Sequence, residues 1–216
     1  MIMGLSTTII LIIVNAIFTY MGFQDQHLFE KYKFSVGGIN RGEYYRMISG
    51  AFLHADWNHF FFNMLTLYFF GGYVESYIGT TNFLLVYFGG LLLGHYLAYH
   101  LHKNDDWYAA IGNSAAVNAV VFSAIALEPM MKLYLFFAIP IPGIIFAIGY
   151  LYYTSMGTQS QTSNIGHEAH FGGAIAGVAL TILLDFYHAF SRHPMLSILL
   201  IAALVGAYFY INNKRK

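Results

Sequence analysis

Seven stretches of mainly apolar residues divide this chain, and each comes close to the length that a helix needs to cross a lipid bilayer. A bilayer core of about 30 Å requires roughly 20 such residues in a helix. Backbone groups in hydrocarbon must also hydrogen-bond among themselves, which a helix achieves within one segment. The pattern predicts an all-α membrane protein with spans at about 7–23, 57–77, 83–101, 112–127, 131–153, 170–190 and 195–211. The first stretch has neither a basic leader nor a small-residue cleavage signal, so we expect a retained span rather than a signal peptide.

The composition supports a lipid environment and excludes several classes of chemistry. Only 9% of the residues are charged, against roughly a quarter in soluble domains. Ten Lys and Arg residues balance ten Asp and Glu residues, so there is no basic surplus to bind nucleic acid, and the lipid bilayer is the expected partner. The chain has no cysteine, which excludes disulfides, thiolate catalysis and Cys-ligated metal centres. Any chemistry must therefore use oxygen and imidazole groups.

Short connections join most of the predicted spans, so consecutive helices are expected to pack as antiparallel neighbours in one domain over 1–216. The polar connection 24–56 is the exception, and it is long enough to hold structure of its own at the membrane surface. Small side chains dominate the fourth span, and the sixth begins with a Gly-x-x-x-Gly spacing at Gly173 and Gly177. Small residues let helix backbones approach closely in a membrane. These two spans are therefore predicted to be direct neighbours inside the bundle.

Polar side chains within the apolar stretches are candidates for function, because burying them in lipid costs free energy unless they are paired. Ser114 opens the fourth span, where unpaired backbone N–H groups favour negative charge on a neighbouring oxygen. His170 opens the sixth span, and an imidazole that shares a hydrogen bond with a serine activates the hydroxyl. His59 and Asn63 are four residues apart on one helical face. Their N–H donors are of the kind that stabilises an oxyanion in acyl transfer.

Each of these features also has a plainer interpretation. A serine at a helix start is most often an N-cap, and His54, His59 and Asn63 would then bind only loop backbone at the membrane interface. A metal site is another alternative, with His54, His59, His167 and His170 gathered around one ion. The zinc-protease pattern needs two histidines four apart on a helix, however, and His167 and His170 are three apart. No metal or cofactor is therefore predicted.

Four motifs together resemble the rhomboid intramembrane serine proteases in identity, order and spacing. They are His54–Ala–Asp–Trp–Asn–His59–Phe–Phe–Phe–Asn63, Gly71–Gly72–Tyr–Val–Glu75–Ser–Tyr–Ile–Gly79, Gly112–Asn113–Ser114 and Ala169–His170–Phe–Gly172–Gly173–Ala–Ile–Ala–Gly177. The pair Tyr45–Arg46 in the connection 24–56 also resembles an aromatic–arginine pair of this family. The resemblance covers a family core at about 40–190. It implies a rhomboid-like bundle of six transmembrane helices, with one additional hydrophobic helix at about 195–211.

The resemblance also implies an activity, which is cleavage of the transmembrane segments of other membrane proteins by a Ser-His dyad. Carried onto this sequence, the resemblance gives roles to seven residues. Ser114 would be the nucleophile and His170 the base that takes its proton. His59 and Asn63 would stabilise the oxyanion, and Glu75, Arg46 and His54 would be structural residues. Glu75 would anchor the connection 24–56. The fifth span and the connection 153–166 would form the gate through which a substrate helix enters.

Two positions depart from the family pattern. Ala115 stands where most members have glycine, and Asn118 stands where many have an aromatic residue that stacks on the histidine. These departures motivate an alternative function, a proteolytically inactive rhomboid-like protein that binds membrane helices.

The orientation of the chain in its membrane is open to two interpretations. Seven spans would place all Lys and Arg residues except Lys132 and Arg192 on the side of the connection 24–56, and the positive-inside rule makes such a side cytoplasmic. The resemblance to bacterial members implies instead a bacterial cell membrane, with the active site opening to the extracytoplasmic side. Charges in a long folded loop count for less, so the expectation follows the family. A seventh stretch lying along the membrane surface would remove most of the conflict.

Overall fold

The structure, a computed structural model, describes residues 6–135, 138–158 and 166–214. Within these ranges the chain is mostly helical, and four helices are long and apolar enough to cross a membrane. They are α1 (Thr7–Gln24), α5 (Trp57–His102), α8 (His167–Leu184) and α9 (Pro194–Lys214). Two shorter helices are α6 (Ser114–Leu127) and α7 (Gly143–Gly157). The chain is therefore an integral membrane protein with a helical fold, as its apolar stretches predict.

Helix α5 is interrupted by a kink at Gly79. Its 46 residues would form a rod of about 69 Å if straight, roughly twice the thickness of a bilayer core. Gly79 has φ 78° and ψ 162°, a conformation that only glycine adopts readily. The helix thus runs as two arms, 57–78 and 80–102, which correspond to the second and third predicted spans.

The fifth predicted span, 131–153, is wrong over its first half. Residues Lys132–Leu135 (β3) and Ile139–Pro142 (β4) form an antiparallel hairpin in which Lys132 pairs with Pro142, and α7 begins only at Gly143. Pro140 and Pro142 explain the difference, because proline lacks the N–H that a helix interior requires. The sixth span also differs from its predicted bounds: α8 starts three residues earlier, at His167, and a π-helical turn (Tyr187–Ser191) follows it.

The connection 24–56 is folded, as its length predicts. It contains the helices α2 (Gln26–Tyr32), α3 (Val36–Asn40) and α4 (Arg46–Ser49), a short strand β1 (Phe34–Ser35) and a 3-10 turn (Gly50–Phe52). Strand β1 pairs antiparallel with β2 (Ala109–Ala110), which lies between α5 and α6. The segment is thereby tied to the backbone that leads into Ser114.

Helix α6 lies at the centre of the bundle, in contact with α5 and α8. Its residues are buried except for Ser114 and Asn118. Glycines make the close approach possible: Gly94 of α5 faces the Cβ of Ala115, while Gly173 and Gly177 of α8 face the carbonyl oxygens of Ala115 and Ala119. The predicted contact between the fourth and sixth spans is therefore confirmed.

Helix α9 packs against α7, and its residues 203–210 face residues 148–155 of that helix. A groove of about 550 Å³ lies between residues 201–208 of α9 and residues 175–183 of α8. Helix α9 is long and apolar enough to cross a membrane, and its interpretation as a seventh span stays a prediction.

Replacing Gly177 by alanine tests the close approach of α6 and α8. The added Cβ would collide with the Ala119 carbonyl oxygen and lie 2.8 Å from the Ala119 Cα, so we expect a loss of about 1–3 kcal/mol of stability from overpacking. The measurement is the thermal unfolding midpoint in detergent. Gly149→Ala is the matched control, because nothing lies within 4 Å of a Cβ added there. Equal midpoints for the two variants would contradict the packing described.

Candidate active site

The side chains of Ser114 and His170 meet where α6 and α8 begin. Ser114 is the first residue of α6, and His170 lies in the first turn of α8. The Ser114 Oγ is 2.7 Å from the His170 Nε2, within the range of a hydrogen bond from a hydroxyl to an imidazole. Both residues are half-buried. The arrangement is that of a hydroxyl beside a base that can take its proton.

A polar cavity of about 800 Å³ adjoins Ser114. Its lining mixes titratable side chains with backbone, and it includes His59, His95, His102, Asp105, Glu168 and residues 109–112. His102 Nε2 lies 3.2 Å from Glu168 Oε1, and the His102 ring stacks on Tyr108. A space of this size and polarity can hold water next to the hydroxyl, which hydrolysis within a membrane protein requires.

His59 reaches this cavity, whereas Asn63 lies one helical turn further along α5. A Cβ at Gly112 would be 2.6 Å from His59 Cε1, and Gly112 has φ 100°. Glycine at 112 therefore serves both the backbone turn before Ser114 and the approach of His59. The Asn63 Nδ2 donates to the His59 carbonyl oxygen at 3.1 Å. Asn63 is buried and does not line the cavity within the described part of the chain.

A buried hydrogen-bond chain holds the residue before Ser114. The Asn113 Oδ1 is 3.2 Å from His54 Nε2, and its Nδ2 donates to the Tyr87 hydroxyl at 3.2 Å. The other His54 nitrogen is 2.7 Å from the Thr19 Oγ1. Burial lowers the pKa of His54 to about 4, so this imidazole is neutral at pH 7. His54 thus fixes the turn that presents Ser114, through Asn113.

The sequence of this chain also matches a known protein family. A family model described as "Rhomboid domain" matches residues 41–187, which is more than half of the chain. The chain belongs to the rhomboid family.

Three relatives illustrate the breadth of the family. RHOMBOID-like protein 12, mitochondrial, of Arabidopsis thaliana is 31% identical over 73% of this chain and 52% of its own length. Rhomboid protease GluP of Bacillus subtilis is 28% identical over 80% of this chain and 32% of its own length. Rhomboid protein 1, mitochondrial, of Saccharomyces cerevisiae is 26% identical over 61% of this chain and 39% of its own length. The chain thus spans about half, or less, of the length of these relatives.

The structural role predicted for Glu75 in this rhomboid chain is wrong. Glu75 accepts hydrogen bonds from the backbone N–H groups of Thr7 and Thr8, both at 3.2 Å, and from the Thr80 hydroxyl at 3.0 Å. It therefore caps the N-terminus of α1 and does not anchor the segment 24–56. It lies 16 residues along α5 from His59, about 24 Å at 1.5 Å per residue, so it is remote from the site.

Arg46 instead holds the segment 24–56 together. Its Nη1 donates to the carbonyl oxygens of Glu30 and Lys33, both at 2.9 Å, and its Nε donates to Glu43 Oε2. This hydrogen bond holds the pKa of the Glu43 carboxyl below its usual range. The His95 ring of α5 is bonded to the Met47 carbonyl oxygen at 2.7 Å, which fastens the segment beside the cavity.

The two departures from the family pattern have local explanations. Ala115 is fully buried against Gly94, so its methyl group occupies a helix contact and does not line the cavity beside Ser114. The Asn118 Nδ2 donates to the Ser114 carbonyl oxygen at 2.9 Å. Among the described residues, Asn118 makes no direct hydrogen bond to His170. Tyr150 of α7 makes one, with its hydroxyl 3.1 Å from the His170 Nδ1.

Sequence reasoning missed Tyr150, Asn113 and Tyr87. Tyrosine is common in apolar helices near membrane interfaces, so Tyr150 and Tyr87 carry no distinguishing signal.

The histidines considered for a metal site give no such centre: among residues 6–135, 138–158 and 166–214, no three His, Asp or Glu side chains are grouped to hold an ion. The residues 159–165 of the predicted gate lie outside the described residues.

Proposed function

We propose that this rhomboid protein is an intramembrane serine endopeptidase that uses a dyad of Ser114 and His170. The observation that carries the proposal is the 2.7 Å separation of the Ser114 Oγ and the His170 Nε2 beside a polar cavity. The fold we propose for its membrane domain is six transmembrane helices, two of them the arms of α5, with α9 as a seventh.

The proposed reaction proceeds through an acyl-enzyme. The Ser114 Oγ attacks the scissile carbonyl carbon while the His170 Nε2 takes its proton. As the C–N bond breaks, His170 returns that proton to the leaving amine. A water from the cavity then loses a proton to His170 and attacks the ester. Collapse of this second adduct releases the new carboxyl terminus, and the proton goes back to the Ser114 oxygen.

The oxyanion donors in this proposal are His59, the second N–H of the Asn63 amide and the backbone N–H of Ser114. His59 lines the cavity. The Ser114 N–H belongs to the first turn of α6, where no side chain of Asn113 caps the helix, and such N–H groups are free to bind an anion. Preorganised donors of this kind contribute most where water is excluded.

The proposed substrates are transmembrane segments with helix-breaking or small residues near the cut. In a lipid-embedded helix every peptide carbonyl is hydrogen-bonded and screened by side chains. A scissile bond must leave the helix before a serine can approach it, and proline or glycine lowers the cost of that unwinding.

A serine-directed fluorophosphonate probe tests the dyad. We expect labelling of the wild type, none of Ser114→Ala, and a labelling rate for His170→Ala lower by about 100-fold or more, since the base would be lost. Ser76→Ala and His100→Ala, both at exposed positions, should label like the wild type. The same variants should show the same order in cleavage of a tagged transmembrane substrate. A folded wild type that neither labels nor cleaves would instead support the inactive helix-binding relative.

Removing a proposed oxyanion donor should lower kcat more than it raises KM. For His59→Ala and for Asn63→Ala we expect a loss of about 10²- to 10³-fold in kcat, the usual cost of one such donor. Asn82→Ala is the matched control, because Asn82 makes the same bond to the carbonyl four residues back, at 3.0 Å, further along α5. The proposed role of Asn63 falls if its variant is no slower than the control.

We also propose that the cavity opens to the extracytoplasmic side of a bacterial cell membrane. Within the folded segment 24–56, Lys33, Arg41 and Arg46 are paired with Glu30 and Glu43, and charges in such a segment weigh little in orientation. The chain has no cysteine, so single cysteines report topology directly. In intact cells of a bacterial host, a membrane-impermeant maleimide should label Trp107→Cys, near the cavity, and should label Met130→Cys only after lysis. The reverse pattern would mean that the cavity opens to the cytoplasmic side.

A further inference from the structure

The imidazole of His170 has a second polar partner besides Ser114. The Tyr150 hydroxyl lies 3.1 Å from its Nδ1, and the two ring planes are 25° apart with centroids separated by 6.4 Å. Tyr150 comes from α7, whereas Ser114 and His170 come from α6 and α8. The base is therefore held between two hydroxyls from two different helices.

The tautomer of His170 decides what this contact can do. To accept the Ser114 proton, the Nε2 must carry no hydrogen, so in the neutral ring the hydrogen sits on Nδ1. An Nδ1–H needs an acceptor, and the Tyr150 oxygen is placed to be one. The opposite tautomer would put an N–H against the Ser114 hydroxyl and leave that serine without a base.

Tyr150 acts as an acceptor toward His170 only if its own proton points elsewhere. Asn118 and Thr154 are polar side chains close to that hydroxyl, and their oxygens are acceptors of the kind such a proton needs. With the proton turned toward them, the polar contacts follow one direction, from the Ser114 hydroxyl to His170 and from His170 to Tyr150.

We propose that Tyr150 is a positioning residue that holds His170 in the reactive tautomer. This inference rests on the proposed function of the dyad. Aromatic contacts with Phe122 and Phe146, at 5.9 and 5.7 Å between ring centroids, fix the Tyr150 ring. The tautomer of the base thus depends on α7 being packed against α6 and α8.

The variant Tyr150→Phe tests the proposal, because it removes the hydroxyl and keeps the ring. We expect its rate constant for fluorophosphonate labelling to fall by about 10- to 100-fold, part of the total that general-base catalysis contributes, with the final labelled fraction unchanged. In substrate cleavage kcat should fall while KM stays within about twofold, since a base with the wrong tautomer impairs chemistry rather than binding.

Tyr152→Phe is the matched control, because Tyr152 lies on the same helix but is 67% exposed, and it should label like the wild type. A Tyr150→Phe rate constant equal to that of the control would overturn the proposal. So would a lower final labelled fraction with an unchanged rate constant, which indicates a role in folding only. A wild type that never labels would overturn the proposed function itself, an outcome distinct from both.

Discussion

The close approach of α6 to α5 and α8 is the constraint on which the rest of the site depends. Lipid gives apolar helices no hydrophobic reason to associate, so their packing relies on van der Waals contact between small residues. Gly173 faces the Ala115 carbonyl oxygen directly, one residue from Ser114 and three from His170. A hydrogen bond tolerates only a few tenths of an ångström in its length, so the separation of Ser114 and His170 is set by how closely these two backbones pack.

Around this contact, polar networks hold the first turn of α6 from two directions. On one side His54 and Tyr87 bind the Asn113 side chain, and on the other Asn118 binds the Ser114 backbone. The Asn113 side chain thus finds partners from two other elements, whereas the Asn118 side chain bonds within α6, and the low dielectric of the bundle makes such pairing important. Ser114 therefore sits on a supported turn although it lies at a helix end, where unsupported residues fray.

Some features of the fold and of the candidate site could be predicted from the sequence alone, and others could not. Ser114, His59 and His170 are polar residues in apolar surroundings, and that contrast alone marks them. Tyr150 carries no such mark, and its position next to His170 depends on how α7 rotates against α6. Glu75 is also a polar residue in an apolar stretch, but its partners are backbone N–H groups of α1, which no residue pattern reveals. The prolines before α7 favour a hairpin over a helix, but hydropathy alone makes the same residues look like part of a continuous apolar span.

The departures at Ala115 and Asn118 show that a family position has meaning only together with its neighbours. The methyl group of Ala115 is accommodated because α5 offers Gly94 opposite to it. Where many rhomboid relatives are expected to stack an aromatic ring on the histidine from α6, this chain has the shorter Asn118, and an aromatic residue approaches the same imidazole from α7. Tyr150 brings a hydroxyl as well as a ring. A stacked ring limits only the tilt of an imidazole, whereas a hydrogen bond at Nδ1 also selects its tautomer. If His170 acts as the proposed base, this exchange places more of the control over its tautomer on α7.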